Sequence, residues 1–178
     1  MRLANPGSSP QTISTVLTRV YLSLGSNLGD GEALLRAAIG KLSSLGEVTK
    51  CSSLYQTEPV EFTYQPDFLN CAVELKTGLS PQQVLEGVLA IERAMGRERA
   101  AQPAKGPRSI DIDLLLAGDA VIDSNELVLP HAAMHLRRFV LEPLAEIAPE
   151  AKHPRLRQTV RELLEGLPEG PAVRKLPG

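Results

Sequence analysis

Near the middle of the chain, the turn-forming Gly106-Pro107-Arg108 runs into Ser109-Ile110-Asp111-Ile112-Asp113-Leu114-Leu115-Leu116. The apolar run predicts a buried strand, yet it carries two carboxylates at positions i and i+2. Side chains alternate faces along a strand, so Asp111 and Asp113 share one face while Ile110, Ile112 and Leu114 take the other. Like charges side by side at the end of a buried strand are costly unless something positive lies between them. A hard divalent cation is the usual remedy, and Mg²⁺ is typically held by one or two carboxylates together with substrate phosphates. An ordinary solvated strand face is the alternative, and the pair alone does not choose between them.

The 178 residues suit one domain, given roughly 100–200 residues per domain, and are enough to bury a core. A net charge of −2 gives no whole-molecule electrostatic grip on nucleic acid. No apolar run reaches the ~20 residues of a membrane span, and no signal-peptide core opens the chain, so a cytoplasmic location is expected. Cys51 and Cys71 form no CxxC or zinc pattern and are expected reduced, on buried strands.

Residues 1–17 are rich in Pro, Ser, Gly, Asn and Thr and are expected to be a disordered extension. A single domain is expected over 18–168, with a frayed tail at 169–178. Arg19 to Leu24 reads as a strand broken at Gly25. Asp30 is placed to cap a helix whose apolar spacing runs through Ala33, Leu34, Ala37, Ala38, Leu42 and Leu45. Val48 to Gln56 reads as a second strand and Phe68 to Thr77 as a third, with Leu69, Cys71, Val73 and Leu75 alternating. Ser80-Pro81 opens a second helix that ends at Gly96. Arg97 to Pro107 reads as a long mobile loop, and 110–116 as the fourth strand. A small hairpin arm at 121–129, a short helical region containing Pro143, and a final helix over 160–167 follow. The core order is β-α-β-β-α-β. It predicts an α+β, ferredoxin-like antiparallel sheet with both helices on one face, plus a small β arm and C-terminal helices.

Other residues carry chemistry only in company. Arg97, Arg99 and Arg108 flank the loop before the aspartates, and guanidinium groups suit a polyphosphate, although an exposed loop also explains them. His131 follows Pro130 and is a candidate for phosphate contact or proton transfer, or an ordinary structural histidine. Glu92 lies near the end of the second helix with no basic i±4 partner. Phe68 and Phe139 stand out because the chain has three phenylalanines, three tyrosines and no tryptophan. Asn27, in Gly25-Ser26-Asn27-Leu28-Gly29-Asp30, either faces a ligand or belongs to a strand-to-helix turn. The segment matches neither phosphate-loop pattern.

These pieces, in order, resemble one family. They are Gly25-Ser26-Asn27-Leu28-Gly29, Tyr55-Gln56-Thr57-Glu58-Pro59, Gln65-Pro66-Asp67-Phe68-Leu69-Asn70, Ile91-Glu92 with Gly96-Arg97, Gly106 through Asp113, and Pro130-His131 with Arg137 and Phe139. Order and spacing are similar to 6-hydroxymethyl-7,8-dihydropterin pyrophosphokinase, of folate biosynthesis, over about 19–167. The resemblance implies transfer of pyrophosphate from ATP to the pterin hydroxymethyl group, with release of AMP. It implies that Asp111 and Asp113 hold two Mg²⁺ ions. Arg97 and Arg99 would be catalytic arginines of a closing loop. Glu92, Arg108, Ile112, His131 and Arg137 would line the ATP site. Thr57, Val60, Phe68, Asn70 and Phe139 would bind the pterin. Some members carry a tryptophan just before Gly-Pro-Arg, and Lys105 stands there in this chain.

The expected partners are two small molecules, ATP and the pterin, with no nucleic acid and no membrane. A monomer is expected, with a dimer left open. Two other functions share the features: another Mg²⁺-dependent nucleotidyl or phosphoryl transferase, and a non-catalytic ferredoxin-like binding module. An RNA-recognition module would need basic charge and aromatic strand positions that this chain lacks.

Overall fold

The computed structural model describes residues 16–59, 64–96 and 109–178. The expectations placed on Val60, on Arg97, Arg99 and Arg108, and on the loop through Lys105 lie outside the described residues.

The first strand, β1 (Thr18–Ser26), is the axis of the sheet. It pairs antiparallel with β4 (Phe68–Thr77) on one side and β5 (Asp111–Ala117) on the other. Beyond β4 lie β2 (Glu47–Cys51), opposite its second half, and β3 (Tyr55–Thr57), opposite its first. The path β5-β1-β4 followed by β2 and β3 is the ferredoxin-like order, with its second strand in two pieces. One strand over Val48 to Gln56 was expected. It is divided because Ser52 turns its groups to other uses: its amide donates to the Ala72 carbonyl (2.9 Å), its hydroxyl donates to the Ser53 carbonyl (2.8 Å), and the Ala72 amide donates back to Ser52 Oγ (2.8 Å). β1 likewise continues through Gly25 to Ser26, since Gly25 pairs with both Asn70 and Asp111.

Two helices cover one face. Helix α1 (Gly31–Lys41) starts at Asp30, whose carboxylate accepts from the Ala33 amide at 3.1 Å. Leu35, Ala38 and, just past its end, Leu42 are buried; Ala38 and Leu42 fall as expected, whereas Ala33 and Ala37 are exposed. Helix α2 (Pro81–Ala94) has a full capping box between Ser80 and Gln83. Val84, Val88 and Ile91 meet Leu22, Leu24, Val73, Leu75, Ile112 and Leu114 in the first core.

The other face is covered too, by α3 (Arg138–Ile147) and α4 (Val160–Glu165), over Ala72, Leu115 and Leu116. Both helices of the β-α-β-β-α-β core, α1 and α2, thus lie on one face as expected, and the C-terminal helices take the other. Two short strands, β6 (Ile122–Asp123) and β7 (Val128–Leu129), make the predicted arm, which ends in a cis Leu129–Pro130 peptide.

The tail does not fray as expected. β8 (Val173–Lys175) adds to the sheet beside β3. Arg174 donates to Gln56 Oε1 at 2.6 Å, and Lys175 reaches Glu146 at 3.6 Å. Glu146 also accepts from the Tyr55 hydroxyl (2.6 Å) and from the Ser53 amide and hydroxyl (3.1 and 2.9 Å). One carboxylate of α3 thus ties β3 and β8 together.

Candidate active site

The site is built on the sheet face that α3 and α4 partly cover. Directly paired residues of antiparallel strands project to the same side. The register sets Asp111 opposite Gly25, Gly25 opposite Asn70, and Asn70 opposite Tyr55, a row crossing four strands. Asp113 pairs with Ser23 one step along, on the same face. Both aspartates are half-buried, while Ile112 between them is 2% exposed in the first core. The alternation expected from the sequence is therefore realised.

Gly25 matters because it lacks a side chain. A Cβ there would come within 3.0 Å of Asn70 Oδ1 and 4.0 Å of the Phe68 ring. The glycine keeps open the space between the aspartate edge and Asn70. Asn70 is buried and donates from Nδ2 to Thr57 Oγ1 at 2.8 Å. That bond fixes which way the amide faces, so its oxygen points toward Gly25. Phe68 lies two residues earlier on β4, on the same face. The Asn27 amide donates to Gln65 Oε1 (2.9 Å) and to the Pro66 carbonyl (3.1 Å), tying the end of β1 to the segment that enters β4.

Behind the aspartates, Glu92 is 1% exposed and accepts from the Ile112 amide at 2.8 Å. It anchors α2 to β5 at the residue between the two carboxylates. Nothing in the local sequence marks that contact, because its partner is a main-chain group twenty residues away.

On the third side, the His131 amide donates to the Leu115 carbonyl at 3.0 Å, pinning the loop after β7 to β5. His131 Nδ1 accepts from the Ala133 amide at 3.1 Å, so the neutral ring carries its proton on Nε2. Burial holds the His131 pKa below the ordinary histidine value. The Arg137 charge adds to that effect and Asp111 opposes it. The three groups thus share one neighbourhood. Arg137 also lies over the Phe139 ring, 5.7 Å from its centroid, as a cation–π contact at the start of α3.

Among the described residues no cluster of three or more His, Cys, Asp or Glu side chains could hold a metal. Two carboxylates suffice for Mg²⁺ that arrives with a polyphosphate, since substrate oxygens complete its shell. Hard oxygen donors on one strand edge fit that ion and would not suit a softer metal.

The model for the family described as 7,8-dihydro-6-hydroxymethylpterin-pyrophosphokinase matches residues 21–149. The chain is 45% identical over 134 residues to the 2-amino-4-hydroxy-6-hydroxymethyldihydropteridine pyrophosphokinase of Bacillus subtilis, covering 74% of this chain and 79% of that protein. It is 46% identical over 136 residues to the protein of the same name from Methylorubrum extorquens, covering 75% and 85%. The folic acid synthesis protein fol1 of Schizosaccharomyces pombe is 39% identical over 83% of this chain, a match that spans only 20% of that longer protein. The fold superposes on the wild-type Plasmodium falciparum HPPK-DHPS crystal structure with a TM-score of 0.69, over 84% of this chain and 44% of that one. At 18% identity, that likeness concerns the fold. The chain belongs to the 7,8-dihydro-6-hydroxymethylpterin-pyrophosphokinase family, and it is a pyrophosphokinase that transfers pyrophosphate to hydroxymethylpterin in folate biosynthesis.

Proposed function

We propose that the row Asp111–Gly25–Asn70 is where the two substrates of this transfer meet. The juxtaposition carries the assignment: paired carboxylates stand on one side of a glycine gap, and a fixed amide stands on the other. Thr57, Asn70, Phe68 and Phe139, with Val60, bind 6-hydroxymethyl-7,8-dihydropterin. The Asn70 amide reads polar edges of the ring, and the phenylalanines supply flat apolar contact. Glu92, Arg97, Arg99, Arg108, Ile112, His131 and Arg137 form the ATP side, Ile112 through its main chain because its side chain is in the core.

Asp111 and Asp113 would hold two Mg²⁺ ions, which bring Lewis-acid stabilisation of phosphate charge when bound. The protein's own part is positioning and electrostatics, since phosphoryl transfer of this kind needs no covalent nucleophile. Glu92 fixes the strand that carries the aspartates. Neutral His131 is placed to donate from Nε2, and Arg97, Arg99 and Arg108 supply permanent positive charge to the triphosphate. The catalytic domain is taken as residues 18–168, preceded by an extension at 1–17 and followed by the 169–178 segment that contributes β8. We place the protein in the cytoplasm, as a monomer without nucleic-acid partners. Among the described residues, no helix is long and apolar enough to cross a membrane.

Product analysis tests the assignment. With ATP, Mg²⁺ and 6-hydroxymethyl-7,8-dihydropterin, AMP and the pterin diphosphate are expected in equal amounts. ADP with a pterin monophosphate would indicate ordinary phosphoryl transfer and overturn it.

A further inference from the structure

The groups assigned to the pterin stand on two supports. Asn70, Phe68 and Thr57 belong to the sheet, and Phe139 belongs to the first turn of α3. The middle of α3 is fixed by Val140, Leu141 and Leu144 in the second core. β3 is the weaker support, a strand of three residues that carries Thr57. Beyond Cys51, which is exposed at the end of β2 where a buried position was expected, the chain enters β3 through the irregular Ser52–Leu54. That approach is held against α3 by Glu146.

Phe139 and Glu146 are seven residues apart, close to two helical turns, so both project from the same side of α3. Both carboxylate oxygens of Glu146 are in use. Oε1 accepts from the Ser53 amide at 3.1 Å and from the Ser53 hydroxyl at 2.9 Å, and Oε2 accepts from the Tyr55 hydroxyl at 2.6 Å. Lys175 of β8 approaches Oε1 at 3.6 Å. Burial acts to raise the Glu146 pKa, but the bonds from Tyr55 and Ser53, with the Lys175 charge, outweigh it and keep the group a carboxylate. The next carbonyl of α3, that of Ile147, accepts from Lys50 on β2 at 3.3 Å. The end of the helix is thus tied to β2 through Lys50 and to β3 through Glu146.

From Tyr55 the effect reaches the site in two short steps. Tyr55 is buried and pairs with Asn70 across the strands, so the two side chains share a face. Thr57, two residues on, takes the same face and accepts from Asn70 Nδ2 at 2.8 Å. If β3 moves outward, Thr57 Oγ1 leaves that amide, and the amide is free to turn.

We propose that Glu146 is a positioning residue for the pterin: it fixes β3 beneath α3 and so sets the direction of the Asn70 amide relative to the helix that carries Phe139. The proposal rests on the assignment of Asn70 and Phe139 to the pterin made above. Glu146 itself touches no substrate and acts through Tyr55, Ser53 and Thr57. Its loss falls on pterin recognition. The aspartate edge and the ATP side stand on β5, α2 and the loop after β7, which Glu146 does not hold.

Steady-state kinetics on the full chain, with each substrate varied in turn, test this. Glu146→Ala should raise the pterin KM about tenfold and leave the ATP KM and kcat within about twofold of wild type. Glu146→Gln should bring the pterin KM back to within about threefold, because its amide oxygen still accepts from Ser53 and its NH2 can donate to the Tyr55 oxygen. Adding Tyr55→Phe to Glu146→Ala should change nothing further, since the bond it removes is already lost. Equal rises in both KM values, a fall in kcat alone, no rescue by glutamine, or effects that multiply in the double variant would each overturn the proposal. Asn70→Ala separates it from the assignment beneath it. A raised pterin KM in Asn70→Ala beside an unchanged one in Glu146→Ala overturns the positioning role alone. An unchanged pterin KM in Asn70→Ala overturns the assignment of Asn70, and the positioning role with it.

Discussion

Gly25 shows how much a single missing methyl group decides. It is the next-to-last residue of a nine-residue strand, where glycine weakens packing and would ordinarily be read as a break. Its use is the space between Asp111 and Asn70. Alanine there sets Cβ within 3.0 Å of Asn70 Oδ1, and the amide cannot turn aside without leaving Thr57. Gly25→Ala should therefore raise KM for the pterin about tenfold, on the order of 1.4 kcal/mol, and leave KM for ATP near its starting value. Steady-state kinetics with each substrate varied in turn checks this. The aspartate pair was legible because alternation follows from strand geometry alone. The Gly25 gap and the bond from the Ile112 amide to Glu92 were not, because both exist only once β4 and α2 have packed beside β1 and β5.

At the level of elements, local signals succeeded wherever the residues themselves did the work. The alternation of Leu69, Cys71, Val73 and Leu75 marked β4, and Ser80-Pro81 marked the start of α2. Signals failed where a distant partner decides. The Ser52–Leu54 break depends on hydrogen bonds to Ala72. β8 offers only Val-Arg-Lys, with no apolar pattern, and is a strand because β3 presents a free edge. Arg174 and Gln56 are 118 positions apart. β8 also has a job, since β3 is only three residues long and carries Thr57. Removing residues 172–178 should leave β3 unpaired on one side. A loss of about 1–3 kcal/mol in urea unfolding is expected, together with a several-fold rise in pterin KM. Tyr55→Phe, which removes the hydroxyl donor to Glu146, should move both quantities in the same direction by less.

For the whole molecule, the second layer of helices decides how stability responds to acid. His153 is 4% exposed, its Nδ1 accepts from the Leu156 amide at 3.1 Å, and its ring meets His135 edge to face. Burial, the neighbouring His135 and Arg155 hold its pKa below the ordinary value of 6.5. The unfolded chain thus takes up this proton at a higher pH than the folded protein does. The stability involved is fully present above about pH 6.5 and is lost as the pH falls through and below that value. His131 acts in the same direction. Thermal melts should show Tm falling between about pH 7 and 5, and His153→Gln should flatten that slope. The carboxylates of Glu74 and Glu146, whose pKa values are depressed by their hydrogen bonds and nearby cations, respond only at still lower pH.

The central claim is that Asp111 and Asp113 are the groups through which Mg²⁺ and ATP engage the pterin. It is tested most directly by AMP formation in Asp111→Ala and Asp113→Ala, measured beside wild type at saturating Mg²⁺ and ATP. Both variants should fold, with cooperative thermal melts beside wild type. Both should lose at least about a thousandfold in turnover, ~4 kcal/mol of transition-state stabilisation. Turnover within tenfold of wild type in either folded variant would contradict the account.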